Sequence, residues 1–217
     1  MRFFLDTANL DEIRAAAALG VIEGVTTNPL LITKEKNTDF KAIVKEITSI
    51  INGPVSVEVI STVAEEMVTE ARALAKIADN VVIKIPIGLE GLKAVKALRA
   101  EGIKTNVTLV FAASQALIAA KAGATFVSPF IGRLEDVNID AMSMLRDICQ
   151  IFSIYEFPTQ IIAASVRTTT HAVQAALAGA HIATVPYKVL IGMVEHPMTN
   201  IVGKLFLDSW KAAMPAG

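Results

Sequence analysis

Residues 80–110 read NVVIKIPIGLEGLKAVKALRAEGIKTNVTLV, and the order of patterns in this stretch settles the fold class. NVVIKI is apolar on both faces, as expected of a parallel strand covered on both sides. A segment with helical spacing follows. Gly102 stands where that helix should stop, and the pair Gly102-Ile103 leads straight into a second apolar run, KTNVTLV. Strand, helix, glycine stop and strand make one βα unit closing on the next.

Working outward, the same unit recurs. The runs RFFLD, IEGVTT, PVSVEV, TFVSPF, QIIAAS and HIATVP alternate with helical segments, so the chain carries about eight units. Phe40, Ile43, Val44, Ile47 and Ile51 fall on one helical face. Asn9 with Glu12, and Thr62 with Glu65, have capping-box spacing. Gly20, Gly53, Gly123 and Gly179 join Gly102 as expected helix stops. Eight units in 217 residues predict one α/β domain over 1–217, a compact (β/α)8 TIM-type barrel with an extra C-terminal helix at about 197–213. A doubly wound open sheet would bring a glycine-rich loop after its first strand, and LDTANLDE has none.

Composition narrows the function classes. A net charge of −1 gives no electrostatic case for nucleic acid or an anionic membrane. Cys149 is the single cysteine, so no internal disulfide is expected, which suits a reducing cytoplasm. The opening MRFFLDTANLDEI becomes acidic too early for a signal peptide, and no apolar run is long enough for a bilayer. The mean hydropathy of +0.52 is high, which buried strands, Ala-rich helices and subunit contacts would explain.

Polar residues interrupt the apolar strands near their C-terminal ends, where barrels carry their chemistry: Asp6, Thr26, Glu58, Lys84, Asn106, Thr108, Ser128 and Ser165. Burying such groups without partners is costly, so a ring of them points to a shared pocket. Lys84 is in phase with Val82 and therefore inward if Val82 is. Apolar burial would free its amine to attack a ketone; the alternative is an ion pair with Glu58 or Asp6. Glu58 reads as a proton shuttle or simply as that partner. Thr108 and Asn106 share a face and could position a water and a substrate hydroxyl, or only satisfy the strand end. Asp6 fits an acid/base or a turn. Asn28, before Pro29, fits a helix cap. Arg133, Ser165 and Arg167 follow the sixth and seventh strands and could grip a phosphate, with surface arginines as the alternative. His171, His181 and His196 lack ligand spacing and read as structural or surface residues, so no metal is expected.

The strings FLDTAN, GVTTNP, VSVEV, VVIKIP, TNVTLVF, AKAGATFVSPFIGRL and ASVRT, in order along nearly the whole chain, resemble the transaldolases, specifically the short single-domain subfamily. The resemblance implies a cofactor-free barrel enzyme that moves a dihydroxyacetone unit from fructose 6-phosphate or sedoheptulose 7-phosphate to an aldose phosphate, in the pentose phosphate pathway. It places the Schiff base on Lys84. Glu58 and Thr108 would hold the catalytic water, and Asp6 would handle the hydroxyl proton at the bond that breaks. Donor hydroxyls would fall to Asn28, Asn106 and Ser128, with Thr26 and Phe130 lining the pocket, and the phosphate to Arg133, Ser165 and Arg167. It also implies rings of five pairing into decamers. The related fructose-6-phosphate aldolases carry Gln at the Glu58 position and Tyr at the Phe130 position. A non-catalytic sugar-phosphate-binding barrel would need the arginines but neither Lys84 nor Glu58. The stripe of Ile201, Leu205, Phe206 and Trp210 predicts that the last helix packs on a neighbouring subunit.

Overall fold

The computed structural model describes residues 1–35 and 39–214. Eight parallel strands pair in sequence order and close, β8 returning to β1. They are β1 (Arg2–Asp6), β2 (Ile22–Thr26), β3 (Val55–Glu58), β4 (Val81–Pro86), β5 (Thr105–Val110), β6 (Phe126–Pro129), β7 (Gln160–Ala163) and β8 (Ile182–Val185). The helices are α1 (Leu10–Ala18), α2 (Pro29–Ile32), α3 (Phe40–Ile50), α4 (Ala64–Ala75), α5 (Leu89–Ala100), α6 (Ala113–Ala122), α7 (Ile131–Glu135), α8 (Ala141–Ile154), α9 (Thr169–Ala178), α10 (Tyr187–Gly192) and α11 (Pro197–Ala213). The eight strand runs and the extra C-terminal helix match the expectation.

Two cores follow from strand alternation. Outward residues such as Leu5, Val25, Val57, Ile83, Ile85 and Val107 pack against the buried helix faces in one large cluster. The buried face of α3 contains Ile43, Val44 and Ile47. Inward residues Phe4, Val82, Phe126, Ile162 and Ile182 form a separate plug inside the barrel. Val82 is therefore inward and Lys84, two positions on, is inward above it.

Helix ends agree with the sequence in part. Asn9 caps α1, its side chain accepting from the Asp11 and Glu12 N–H groups. The reciprocal half of the box is absent: Glu12 takes the Thr7 hydroxyl at 2.6 Å, and Thr7 Oγ1 accepts the Asn9 N–H. The Thr62–Glu65 box is not formed. Val63 is the cap residue of α4, and Glu90 of α5 instead accepts the Ala64 N–H at 3.0 Å. A carboxylate from the next helix has displaced the local cap. Gly20, Gly102, Gly123 and Gly179 adopt the left-handed backbone expected of helix stops. Gly53 does not. Its requirement is space, because a Cβ there would lie 1.8 Å from the Glu23 carbonyl oxygen.

Candidate active site

Strand register builds the site. Glu58 lies opposite Lys84 across the β3–β4 pair, Lys84 opposite Asn106 across β4–β5, and Asp6 opposite Thr26 across β1–β2. Inward side chains that succeed the apolar plug therefore meet at the C-terminal mouth.

Lys84 is 4% exposed. Its Nζ lies 3.0 Å from Glu58 Oε2 and donates to the Thr27 carbonyl at 3.1 Å. The ion pair with Glu58 is formed, and the same amine lines two cavities. Asp6 Oδ1 accepts from Thr26 Oγ1 at 2.7 Å, and that hydroxyl also meets Thr184 Oγ1 at 2.6 Å. Burial pushes the Asp6 carboxyl above its ordinary range, with the nearby Glu58 adding to the rise; Lys84 and the Thr26 hydrogen bond pull the other way without cancelling it. Ser128 Oγ donates to Asn106 Oδ1 at 2.8 Å, and Asn106 Nδ2 donates to Ser56 Oγ at 3.1 Å. Thr108 is fully buried, and its hydroxyl has no hydrogen-bond partner among the described residues. The next residue, Leu109, is left-handed at φ 58°, where the β5–β6 register shifts between Val107 and Val110. A left-handed leucine costs on the order of 1–2 kcal/mol.

Two adjoining cavities open at the mouth. The more enclosed, about 120 Å³, is polar and includes Asp6, Thr26, Ser128, Ser165 and Thr184 in its lining. The other, about 300 Å³, runs from Glu58 to an apolar wall of Pro29, Leu30, Leu109 and Phe111. Asn28, Lys84, Phe130 and Arg133 border both. Asn28 also caps α2, accepting the Leu31 N–H at 3.0 Å. The Phe130 ring meets Phe111 edge-on, centroids 5.7 Å apart.

Both arginines reach Asp136, Arg133 with Nη1 4.0 Å from Oδ2, but only Arg133 borders the cavities. Arg133 lines both cavities with a largely exposed side chain. Arg167 lines neither; its guanidinium forks onto Asp136, with Nη2 to Oδ2 at 2.6 Å. The hydrogen bond from Arg167 holds the Asp136 carboxyl below its ordinary range. Ser165, left-handed at φ 59°, does line the polar cavity. Sequence reasoning passed over Thr184, although its place at the inward end of IATVP is that of Thr26 in IEGVT, and the same rule would have found it. The Thr27 carbonyl has no side-chain signal at all.

Residues 3–214 match the family model described as transaldolase/fructose-6-phosphate aldolase. The chain belongs to that family. It is 62% identical over 213 residues to a probable transaldolase of Thermoanaerobacter sp. (strain X514), covering 98% of each chain. A probable transaldolase of Desulforudis audaxviator (strain MP104C) is 62% identical over 210 residues, 97% of each chain. Probable transaldolase 1 of Listeria monocytogenes serotype 4b (strain F2365) is 57% identical over 213 residues, 98% of this chain and 99% of that one. Among the described residues of this family member, no helix is long and apolar enough to cross a membrane.

Proposed function

We propose that the chain is a transaldolase that works through an imine on Lys84. The observation that carries this is a buried lysine nitrogen, 3.0 Å from a carboxylate, standing at the border of two cavities. Glu58 accepts the ammonium proton, and the neutral amine attacks the ketone carbon of fructose 6-phosphate or sedoheptulose 7-phosphate. The carbinolamine then loses water, its hydroxyl protonated through Glu58, with the Thr108 hydroxyl helping to hold that water. The iminium draws electrons from the adjacent carbon–carbon bond while Asp6 takes the proton of the hydroxyl at the far carbon. That bond breaks, and an aldose phosphate leaves. The enamine on Lys84 attacks the acceptor aldehyde, erythrose 4-phosphate or glyceraldehyde 3-phosphate, and Asp6 returns its proton to the new hydroxyl. Water hydrolyses the imine and releases the product. An Asp6 carboxyl raised by burial suits a group that must both take and return a proton. Asn28, Asn106 and Ser128 hold donor hydroxyls beside Thr26. Arg133, Ser165 and Arg167 receive the phosphate, Arg167 exchanging Asp136 for it.

Incubation with fructose 6-phosphate, borohydride reduction and peptide mass mapping should find a stable adduct on Lys84; an adduct on another lysine, or none, refutes the mechanism. The family also contains aldolases that release free dihydroxyacetone. Phe130, packed on Phe111, offers no hydroxyl to order a protonating water, which favours transfer. Release from fructose 6-phosphate as fast as transfer to erythrose 4-phosphate would reverse that choice.

We further propose that the subunits assemble through α11 into rings of five that pair as decamers. No residue of α11 is buried within its own chain, and Ile201, Leu205, Phe206 and Trp210 are each at least 60% exposed. Truncation before Met198 should shrink the particle seen by light scattering. A reducing cytoplasm suits Cys149, whose thiol burial pushes up to about 11 and so keeps protonated and unreactive at neutral pH.

A further inference from the structure

We propose that His171 is a positioning residue that locks the loop after β7 to α7 and so aligns Ser165 with Arg133 for the phosphate; this rests on the phosphate reading above. The ring is buried, and both nitrogens are used. Nδ1 accepts the Arg167 backbone N–H at 3.3 Å, and Nε2 lies 2.8 Å from Glu135 Oε2. Its own backbone N–H is capped by Thr168 Oγ1 at 3.1 Å, which seats it in the first turn of α9.

The donor inventory sets the ring's state. Arg167 N–H is a donor, so Nδ1 must present its lone pair; Glu135 is an acceptor, so Nε2 must carry the proton. Only the neutral Nε2–H ring satisfies both. A proton on Nδ1 would set two donors face to face. What the ring connects gives it its function. Glu135 is the last residue of α7, the short helix that carries Arg133. Arg167 stands two residues beyond Ser165, which follows β7 with a left-handed backbone and lines the polar cavity. The two segments also touch backbone to backbone: Gly132 N–H donates to the Ser165 carbonyl at 3.2 Å, and a Cβ on Gly132 would lie 2.2 Å from that oxygen. Contact this close transmits a small shift of one segment to the other, and a misplacement of about 1 Å at a binding group is costly.

The test uses the full chain and borohydride trapping at Lys84 as a function of donor concentration. For His171→Leu, the fructose 6-phosphate concentration giving half-maximal trapping should rise about 10-fold. The maximal trapped fraction, and the half-maximal concentration of dihydroxyacetone, which has no phosphate, should stay within about twofold. His171→Asn, whose Oδ1 can still accept the Arg167 N–H, should recover part of the loss. Glu135→Gln should be near the parent, because an amide oxygen accepts from Nε2–H, whereas Glu135→Ala should resemble His171→Leu and carries the test if the latter does not fold. ¹⁵N shifts of labelled histidine should show Nδ1 bare and Nε2 protonated. Equal losses on both donors, no loss in either His171→Leu or Glu135→Ala, or the opposite tautomer overturns the inference. Arg133→Ala is the control. If it too ignores the phosphate, the underlying phosphate reading falls; if it alone discriminates, only the role of His171 does.

Discussion

Val82 and Lys84 point into the same barrel from the same strand, one turn of the pleat apart, and serve opposite ends. Below, Val82 joins Phe4, Phe126, Ile162 and Ile182 in an apolar plug that contributes hydrophobic stabilisation of about 25 cal/mol per Å² buried. Above, Lys84 joins Glu58 and, across the mouth, Asp6 and Thr26, in a layer that keeps charges out of bulk water at a cost. The same strands carry both layers. The difference lies in which layer a ligand can reach, and it teaches that stability and chemistry are segregated along each strand by only two positions.

The comparison breaks most sharply at Lys84 itself. Lys84→Arg should lower kcat/KM by on the order of 10⁴-fold or more in a coupled transfer assay, because a guanidinium stays protonated and forms no imine. Retained activity would mean that the mouth layer does not act through a covalent lysine. Phe126→Ala probes the plug instead. It should cost roughly 3–5 kcal/mol in urea denaturation while leaving the KM for fructose 6-phosphate within about twofold in the folded fraction. A large KM change would show that the two layers are not independent.

Smaller effects sharpen the contrast. Arg133→Ala should cut kcat/KM for fructose 6-phosphate by about 10- to 100-fold, since a hydrogen bond to a charged group is worth roughly 1.5–3 kcal/mol. Trapping with dihydroxyacetone should hardly change. The smallest effect has the opposite sign. Burial raises the Asp6 carboxyl in the folded chain, so the native state holds its proton more tightly than the unfolded one. Wild-type stability from this group is therefore lost as pH rises from the ordinary aspartate range through the raised folded value. Asp6→Asn, which cannot ionise, should be inactive yet more stable at pH 7 by about 1 kcal/mol. The two proteins should converge in thermal denaturation near pH 4. Equal stability at both pH values would show that the carboxylate in the mouth layer carries no net cost.

Much of this was legible in the residues. Short apolar runs separated by helical segments and glycine stops are local patterns, and they specified eight strands, their order and the inward phase of Lys84 once Val82 was inward. The polar residue near each strand end marked Asp6, Thr26, Glu58, Asn106 and Ser128, because a barrel places equivalent strand positions side by side. Local rules failed where a distant group competed. Glu90 caps α4 in place of Thr62, and Gly53 answers to the Glu23 carbonyl rather than to a helix end.

The sequence by itself determined the fold class, which residues of a strand share a face and the polar groups available at the mouth, because these follow from the identity and spacing of residues along one strand or helix. Tertiary structure alone decided which groups pair. It set Lys84 against Glu58 and the Thr27 carbonyl, left the Thr108 hydroxyl without a partner among the described residues, gave Arg167 to Asp136, and joined His171 to both Glu135 and the Arg167 backbone. Hydrogen bonds and ion pairs depend on distances of about 3 Å between atoms far apart in the chain. Such distances exist only after the barrel has closed and its shear has fixed the height of each strand against the next.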